Sequence, residues 1–561
     1  MKRILSLLLL AAMLLGLAAC GASQPADTGT PADTGTSDSA NTGAVTDATP
    51  ETPAADVAPI VWGMSTLWNS LQPFNNTNYY NSIIISMLYD QLVYVEVDGT
   101  ISPRGAKSWS QSEDGRTITF QLDENATFHD GTKVTAADWV WSLQLLSKAG
   151  VGFADQSLLA VIDGTDDAGV ELSENSLAVQ ADGDYTLSIT FKQAANMESF
   201  LMSSSYFMVV LPSHLLKDIP ADAIATDAFW TAPVGSGPCK FVSQSADGTE
   251  LTLARYEGYH LGNANWNTMI FRQVDAGSLS SAMLTGEIDI AYAPIPNDEA
   301  LSMDGAAGIT LNMRDEATQT YVIALNNQVV TDVRVREAIN KAIDKTRLCT
   351  LLTGSAPVAL ADPMELYIPA SNPYYPTDLA AAYDVEGAKA LLEEAKADGY
   401  DGKFVLAAPA AGQRADLAVL IGEDLTAAGF EVELVTIDAA TMMSDLKSGA
   451  DGQYDGGIII YGITPDPMCR NDILSASSRT VLSLTDETYE QKQAAINAEL
   501  DADARKALIE DYYAYLNEQM PAVWLCGKKQ YYVYSSRLGN VTDDLIEIAR
   551  RNVPVWLWEV N

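Results

Sequence analysis

The chain has 561 residues, 47% hydrophobic and 19% charged, which is the balance of a globular protein long enough for more than one core. Its formal net charge of −41 would repel a phosphate backbone, so nucleic-acid binding is excluded. That charge favours solubility and says nothing about fold.

Residues 1–20 open with the cations Lys2 and Arg3 and continue as an apolar stretch from Ile4 to Leu17, too short for a stable membrane span. They end in Leu17-Ala18-Ala19-Cys20, which resembles the lipobox of bacterial lipoproteins. The resemblance implies acylation of Cys20, which becomes the new amino terminus. Each buried CH₂ of an acyl chain contributes roughly 0.8 kcal/mol, so two or more chains make a lasting anchor. The alternative is an ordinary secretory leader with a chance cysteine.

Residues 21–59 hold Ser, Thr, Asp, Ala, Gly and Pro with no aromatic residue, and PADTGT occurs at 25–30 and again at 31–36. So little apolar surface cannot offset chain entropy, so a disordered tether is expected. The first strand pattern begins at Ile60-Val61-Trp62.

Asp114-Gly115 marks a tight turn, and Thr117 to Leu122 alternates polar and apolar as a half-buried strand does. Phe128-His129-Asp130-Gly131 makes a second turn. Thr135 then predicts a helix N-cap with Asp138 three residues on, and Trp139, Leu143 and Leu146 share one helical face. Residues 332–348 predict one helix capped by Asp332, with Val335, Ala338, Ile339, Ala342 and Ile343 facing a core. Arg334 and Arg336 lie off that stripe and read as solvated or domain-bridging cations. Val385, Ala388, Leu391, Leu392 and Ala395 form a second amphipathic helix. Leu417, Leu420, Ile421 and Leu425 form a third, stopped by Gly429, and Phe430, Val432 and Leu434 alternate as a strand. Helices alternating with strands indicate α/β lobes.

Chemistry is sparsely signalled. His129, His214 and His260 are the three histidines, and none sits in a His-Glu-x-x-His arrangement. There is no Gly-x-Ser-x-Gly elbow and no phosphate loop. Cys239, Cys349, Cys469 and Cys526 lie far apart without a Cys-x-x-Cys, so zinc is not expected. Bridges are open to them outside the cytosol, but buried thiols are the favoured reading. No catalytic residue, metal or cofactor is assigned. A glycosidase-type carboxylate pair is not excluded by composition alone.

Five segments in order carry a more specific likeness. The first runs through Ser108-Trp109, Glu113-Asp114-Gly115, Thr119-Phe120-Gln121-Leu122, Phe128-His129-Asp130-Gly131-Thr132 and Thr135-Ala136-Ala137-Asp138. Then come Pro233-Val234-Gly235-Ser236-Gly237-Pro238 and Gly286-Glu287-Ile288-Asp289. Asp332 to Ile339 follows, with Ala342-Ile343-Asp344, and last Tyr454-Asp455 with Pro465-Asp466-Pro467. Together they resemble family 5 extracellular solute-binding proteins, the peptide-, nickel- and opine-type receptors of ABC importers, with Cys239 in place of a usual Tyr. The likeness covers about residues 60–561.

The resemblance implies an α/β fold of two lobes, the periplasmic-binding-protein type of class II, cluster C, with an inserted subdomain. Lobe I would comprise 60–95, 215–305 and 520–561, the insertion 96–214, and lobe II 306–519. It implies a monomer held outside the cytoplasm by its lipid, at the periplasm or the cell surface. It also implies partners in an ABC permease and its ATPase, and a peptide or related solute caught between hinged lobes. In peptide-binding members a carboxylate in the loop before the Asp-Pro pair receives the peptide amino terminus. Here that loop reads Tyr461-Gly462-Ile463-Thr464, so Thr464 or Ile463 replaces it, and Asp466 is the substitute acid at hand. Arg414 matches an arginine that holds a carboxylate in a dipeptide-binding relative, and equally reads as a surface residue at a helix start. Trp68, Tyr79, Tyr80, Trp230, Tyr321, Tyr367 and Tyr461 fall where the family borders its cleft and could stack on cargo, with core packing as the competing role. Non-peptide cargo, or a hydrolase or sensor on the same scaffold, are the other functions open.

Overall fold

A computed structural model describes residues 57–66, 68–74, 79–96, 99–205, 207–292, 295, 297–354, 356, 359–376, 379, 382–464, 466, 468, 482, 486–541 and 553–561. The leader, Cys20, the tether up to residue 56, Pro465, Pro467 and Cys469 lie outside the described residues.

Strand β1 (Ile60–Met64) starts at the first apolar alternation. After it come β2 (Val93–Val95) and β3 (Ile101–Pro103), a short hairpin. Next are β4 (Ala106–Gln111), β5 (Thr117–Leu122), β6 (Val179–Ala181) and β7 (Thr186–Thr190), which form a four-stranded sheet in the order β4-β5-β7-β6. As the alternation predicts, β5 buries Ile118, Phe120 and Leu122. The helix Ala136–Ser147 opens as expected, with the Asp138 carboxylate accepting the Thr135 N–H at 2.9 Å and its hydroxyl at 2.8 Å.

The main sheet adds β8 (Cys239–Gln244), β9 (Glu250–Arg255), β10 (Thr268–Gln273) and β11 (Ile290–Tyr292). It continues with β12 (Ile309–Leu325), β13 (Ala361–Pro363), β14 (Lys403–Ala408), β15 (Glu431–Thr436), β16 (Gly456–Gly462) and β17 (Ala522–Ser535). Their order is β15-β14-β16-β12-β17-β11-β1-β10-β9-β8, with β13 on the free edge of β17. One apolar cluster runs from Trp62, Leu253 and Phe271 to Ile118, Phe120 and Leu187, so the small sheet shares its core with the β1 side of the large one. At the other end, the helices Val333–Ala342, Val385–Ala397 and Gln413–Ala427 cover one face through Ile339, Leu392 and Ile421. Tyr489, Tyr512 and Tyr513 cover the opposite face. Helices over both faces of a mixed sheet, with β14 and β16 parallel and buried between them, make an α/β layering.

Two expectations are corrected. The stretch 332–348 is two helices, Val333–Ala342 and Lys345–Thr353. Asp344 is the cause: its carboxylate accepts the Arg347 N–H at 3.1 Å, so a second N-cap starts where the first helix stops, with Ile343 extended between them. Arg336 is neither solvated nor domain-bridging but buried, donating to the carbonyls of Val330, Thr331 and Gln519. Arg334 pairs with Asp332 and Asp398.

The two ends of the sheet are joined by β12 and β17. Ile309–Met313 pairs with Tyr531–Ser535 beside β11, whereas Ala317 onward pairs with Lys529 to Ala522 beside β16. The register shifts between Met313 and Ala317 and again before Gln319. Such irregularities loosen a ladder and raise its local twist.

Candidate ligand-binding site

β14 and β16 are parallel and end at Ala408 and Gly462. In α/β sheets ligands sit beyond such carboxyl ends. At this end Ala317 and Gln319 of β12 and Lys528 and Lys529 of β17 also emerge. Gly412, at φ 82°, turns the chain out of β14 into the helix Gln413–Ala427.

The first residues of that helix build a polar cluster. Gln413 Oε1 accepts the Tyr321 hydroxyl at 2.8 Å and Lys528 Nζ at 2.8 Å. Arg414 follows, half-buried. Among the described residues neither Lys528 nor Arg414 meets a carboxylate. Burial lowers the pKa of both from the ordinary values, with Tyr321 opposing the shift at Arg414. Burial also pushes the Tyr321 phenol up to about 12. Two cations withdrawn from water without a counter-charge favour an anion arriving from outside.

An acidic cavity of about 330 Å³ adjoins the same stretch of β17, lined among others by Asp315, Glu316, Asp362, Glu365, Tyr375 and Gly527. Asp315 and Glu316 are exposed on the irregular part of β12. Asp362 lies 3.3 Å from Lys529, and Glu365 lies 2.5 Å from the buried Lys345. Gly527 and Lys528 are consecutive, and successive positions of a strand face opposite ways. The cationic cluster and the acidic cavity therefore flank one strand.

Tyr321 and Arg414, both sequence-expected, lie close enough to interact electrostatically, and Tyr321 also bonds Gln413, the residue before Arg414. Tyr367 is fully buried and donates to the Gly462 carbonyl at 2.6 Å, so it props the loop after β16 from below. Tyr461 lies in that strand, and the Thr464 hydroxyl donates to the Asp466 carbonyl at 2.8 Å. Asp466 is 4% exposed and fully engaged. Its Oδ2 accepts from Arg505 Nη2 at 2.8 Å and from the Ser199 hydroxyl, and its Oδ1 accepts the Met468 N–H. Trp230 packs edge-on against Phe74 and Phe229 in the other lobe's core and donates to the Ile224 carbonyl. Trp68 is buried after β1, with no partner for its indole N–H among the described residues. Tyr79 and Tyr80 open the helix Tyr79–Leu88, and their side chains lie outside what is described.

Sequence reasoning missed Gln413, Lys528 and the four acids of the cavity. Two consecutive lysines, with Gln530 after them, inside the mostly apolar run Val523 to Tyr534 were the available signal. The histidines are elsewhere: His129 and His260 are held within lobe I, and His214 pairs with Asp130.

The sequence profile of the bacterial extracellular solute-binding proteins, family 5 (middle part), matches residues 100–478. The chain belongs to this family. The oligopeptide-binding protein AppA of Bacillus subtilis is 25% identical over 428 residues, 72% of this chain and 73% of its own. The solved structure of AppA with a nonapeptide superposes with a TM-score of 0.70 at 20% identity, over 90% of this chain and 99% of that one. The nickel-binding periplasmic protein of Escherichia coli is 30% identical over 324 residues, 55% of this chain and 56% of its own. The substrate-binding protein CtaP of Listeria monocytogenes has the same two-lobed α/β fold, with a TM-score of 0.76 at 18% identity over 90% of this chain and 99% of that one. As a family 5 member the chain is a substrate-binding receptor of an ABC importer, working outside the cytoplasm. No helix among the described residues is long and apolar enough to cross a membrane.

Proposed function

We propose that this receptor captures a peptide-class solute that carries both a free carboxylate and an ammonium, and hands it to a membrane permease while tethered through acylated Cys20. The carrying observation is the pair Lys528 and Arg414, half-buried, beside Tyr321 and Gln413, with no carboxylate opposite them among the described residues. A cargo carboxylate would supply the missing charge. The ammonium would meet the exposed Asp315 and Glu316 at the acidic cavity, because Asp362 and Glu365 already pair with Lys529 and Lys345, and Asp466, the substitute acid of the loop, with Arg505. Trp68, Tyr79, Tyr80, Tyr461 and Thr464 are proposed as further contacts with the cargo. The nonapeptide held by the B. subtilis relative supports the class of cargo.

The mechanism is binding without turnover. Residues 306–519 would close on the rest of the body about the irregular part of β12 and β17, and cargo must favour the closed form to shift the population. Calorimetry tests the reading with di- to pentapeptides whose amino end is free or acetylated and whose carboxyl end is free or amidated. Binding is expected to need the free carboxylate and to fall on acetylation. Equal binding of amidated peptides would overturn the carboxylate site. No binding to any peptide would transfer the assignment to oligosaccharides or metal complexes.

A further inference from the structure

The cysteines lead furthest beyond the ligand site. Cys349, on the second helix after β12, and Cys526, in β17, stand with their Sγ atoms 3.0 Å apart. Both are buried, Cys349 at 5% exposure and Cys526 at 0%. They are 177 positions apart in the chain. The third described cysteine, Cys239, is buried in the other lobe's core.

We propose that Cys349 and Cys526 form a disulfide in the protein as it exists outside the cytoplasm. Secreted and periplasmic chains fold in an oxidising compartment, where two thiols in contact do not persist as a rule. The step is a thiol–disulfide exchange. One thiolate attacks a disulfide of an extracytoplasmic oxidant, a mixed disulfide forms, and the second thiolate displaces it. The S–S bond forms as two protons leave the protein thiols, and the oxidant takes up two electrons as two thiols. Exchange needs a thiolate, and in the folded protein contact with Cys349 and burial push the Cys526 thiol far above its ordinary range. With both sulfurs buried, the bond would form before the fold encloses them, and afterwards reductants would reach it only through unfolding.

The position gives the bond a role. Cys526 pairs with Tyr321 across β12 and with Pro363 across β13, two residues before Lys528. The cross-link would pin the helix Lys345–Thr353 to the strand that carries half the cationic cluster, and would close a long loop in the unfolded chain.

The test uses full-length protein recovered from the extracytoplasmic fraction without reductant. It is unfolded in the presence of a maleimide and digested. A Cys349–Cys526 linked peptide, with neither residue alkylated, is expected. Reduction in denaturant should raise the mass by about 2 Da per bond. Cys349→Ala, Cys526→Ala and the double variant should each lower the melting temperature by a similar amount, about 5 °C, because either substitution removes the same bond. Alkylation of both residues in the unreduced protein would overturn the proposal, as would linkage of either one to Cys239 or Cys469. Additive losses in the single variants would show two separate packing effects and would likewise overturn it.

Discussion

His129 Nδ1 accepts the N–H of Gly235 at 3.1 Å, and Nε2 of the same ring lies 3.0 Å from the Gly237 carbonyl. An acceptor at one nitrogen and a donor at the other make a neutral imidazole in one tautomer. The ring thus joins two of the family's sequence signatures, 106 positions apart. The glycines are needed because the turn presses on the helix Tyr79–Leu88. A Cβ on Gly235 would stand 1.9 Å from the Leu88 carbonyl oxygen, and one on Gly237 2.4 Å from that of Met87.

Burial lowers the His129 pKa from 6.5 to about 4. Because the folded value lies below the unfolded one, the stability is whole above pH 6.5 and is lost as the pH falls towards 4. The loss approaches about 3 kcal/mol. Urea melts across that range should show a shallower fall for His129→Gln than for the wild type. Parallel curves would remove His129 as the source.

His260 works in the opposite sense. Burial lowers its pKa, but Asp90 and Asp123 outweigh burial and hold the ring above its ordinary value. Its contribution is whole below pH 6.5 and fades as the pH rises through the raised value. His260→Gln should therefore cost more stability at acidic pH than well above neutrality, measured by the same melts. A constant difference across pH would contradict the charged ring.

Asp466, Arg505 and Ser199 tie the helix Met197–Ser204 of the small-sheet side to the far lobe. The charges are buried at 5% side-chain exposure each, so removing one leaves the other without its counter-charge. Arg505→Met is expected to lose about 3 kcal/mol of stability. If the tie spans the moving lobes, the variant should also show a larger radius of gyration in X-ray scattering without ligand. An unchanged radius would make the tie purely a stabiliser.

Lys528→Met should separate stability from binding. An apolar chain replaces a half-buried cation, so the melting temperature should stay level or rise, by about 1 kcal/mol in free energy. Affinity for cargo with a free carboxylate should drop about 10- to 100-fold in calorimetry. Loss of both together would point to a structural role for the lysine.

Cys20→Ser tests the anchor. Unacylated protein should appear in the medium or periplasm and take up no labelled fatty acid. Retention at the membrane equal to that of the wild type would end the lipoprotein reading.

Locally determined elements were legible in the sequence. The strand at 117–122, the box of Thr135 and Asp138, and the helices at 385–397 and 413–427 each follow from periodicity and capping within a few residues. The break at Ile343 was also local, but the apolar stripe running through it concealed the second cap at Asp344. The burial of Arg336 depends on carbonyls of Gln519, and that of Trp230 on Phe74, contacts that no window of sequence contains. The site divided in the same way. Arg414 and Tyr321 came from the family likeness, whereas Lys528 and the acids of the cavity came into view only when β12, β13 and β17 were paired.

The lobes are joined not by slack connectors but by β12 and β17 running side by side as a ribbon. A ribbon resists torsion elastically, so the proposed closure would do work against its hydrogen-bonded rungs. The affinity measured for any cargo would then be the contact energy less that work. Residues 313–317 lie at the register shifts whatever the cargo is, so substitutions that stiffen or soften the ribbon there should scale affinity for all cargos by one common factor, leaving the ranking among them unchanged.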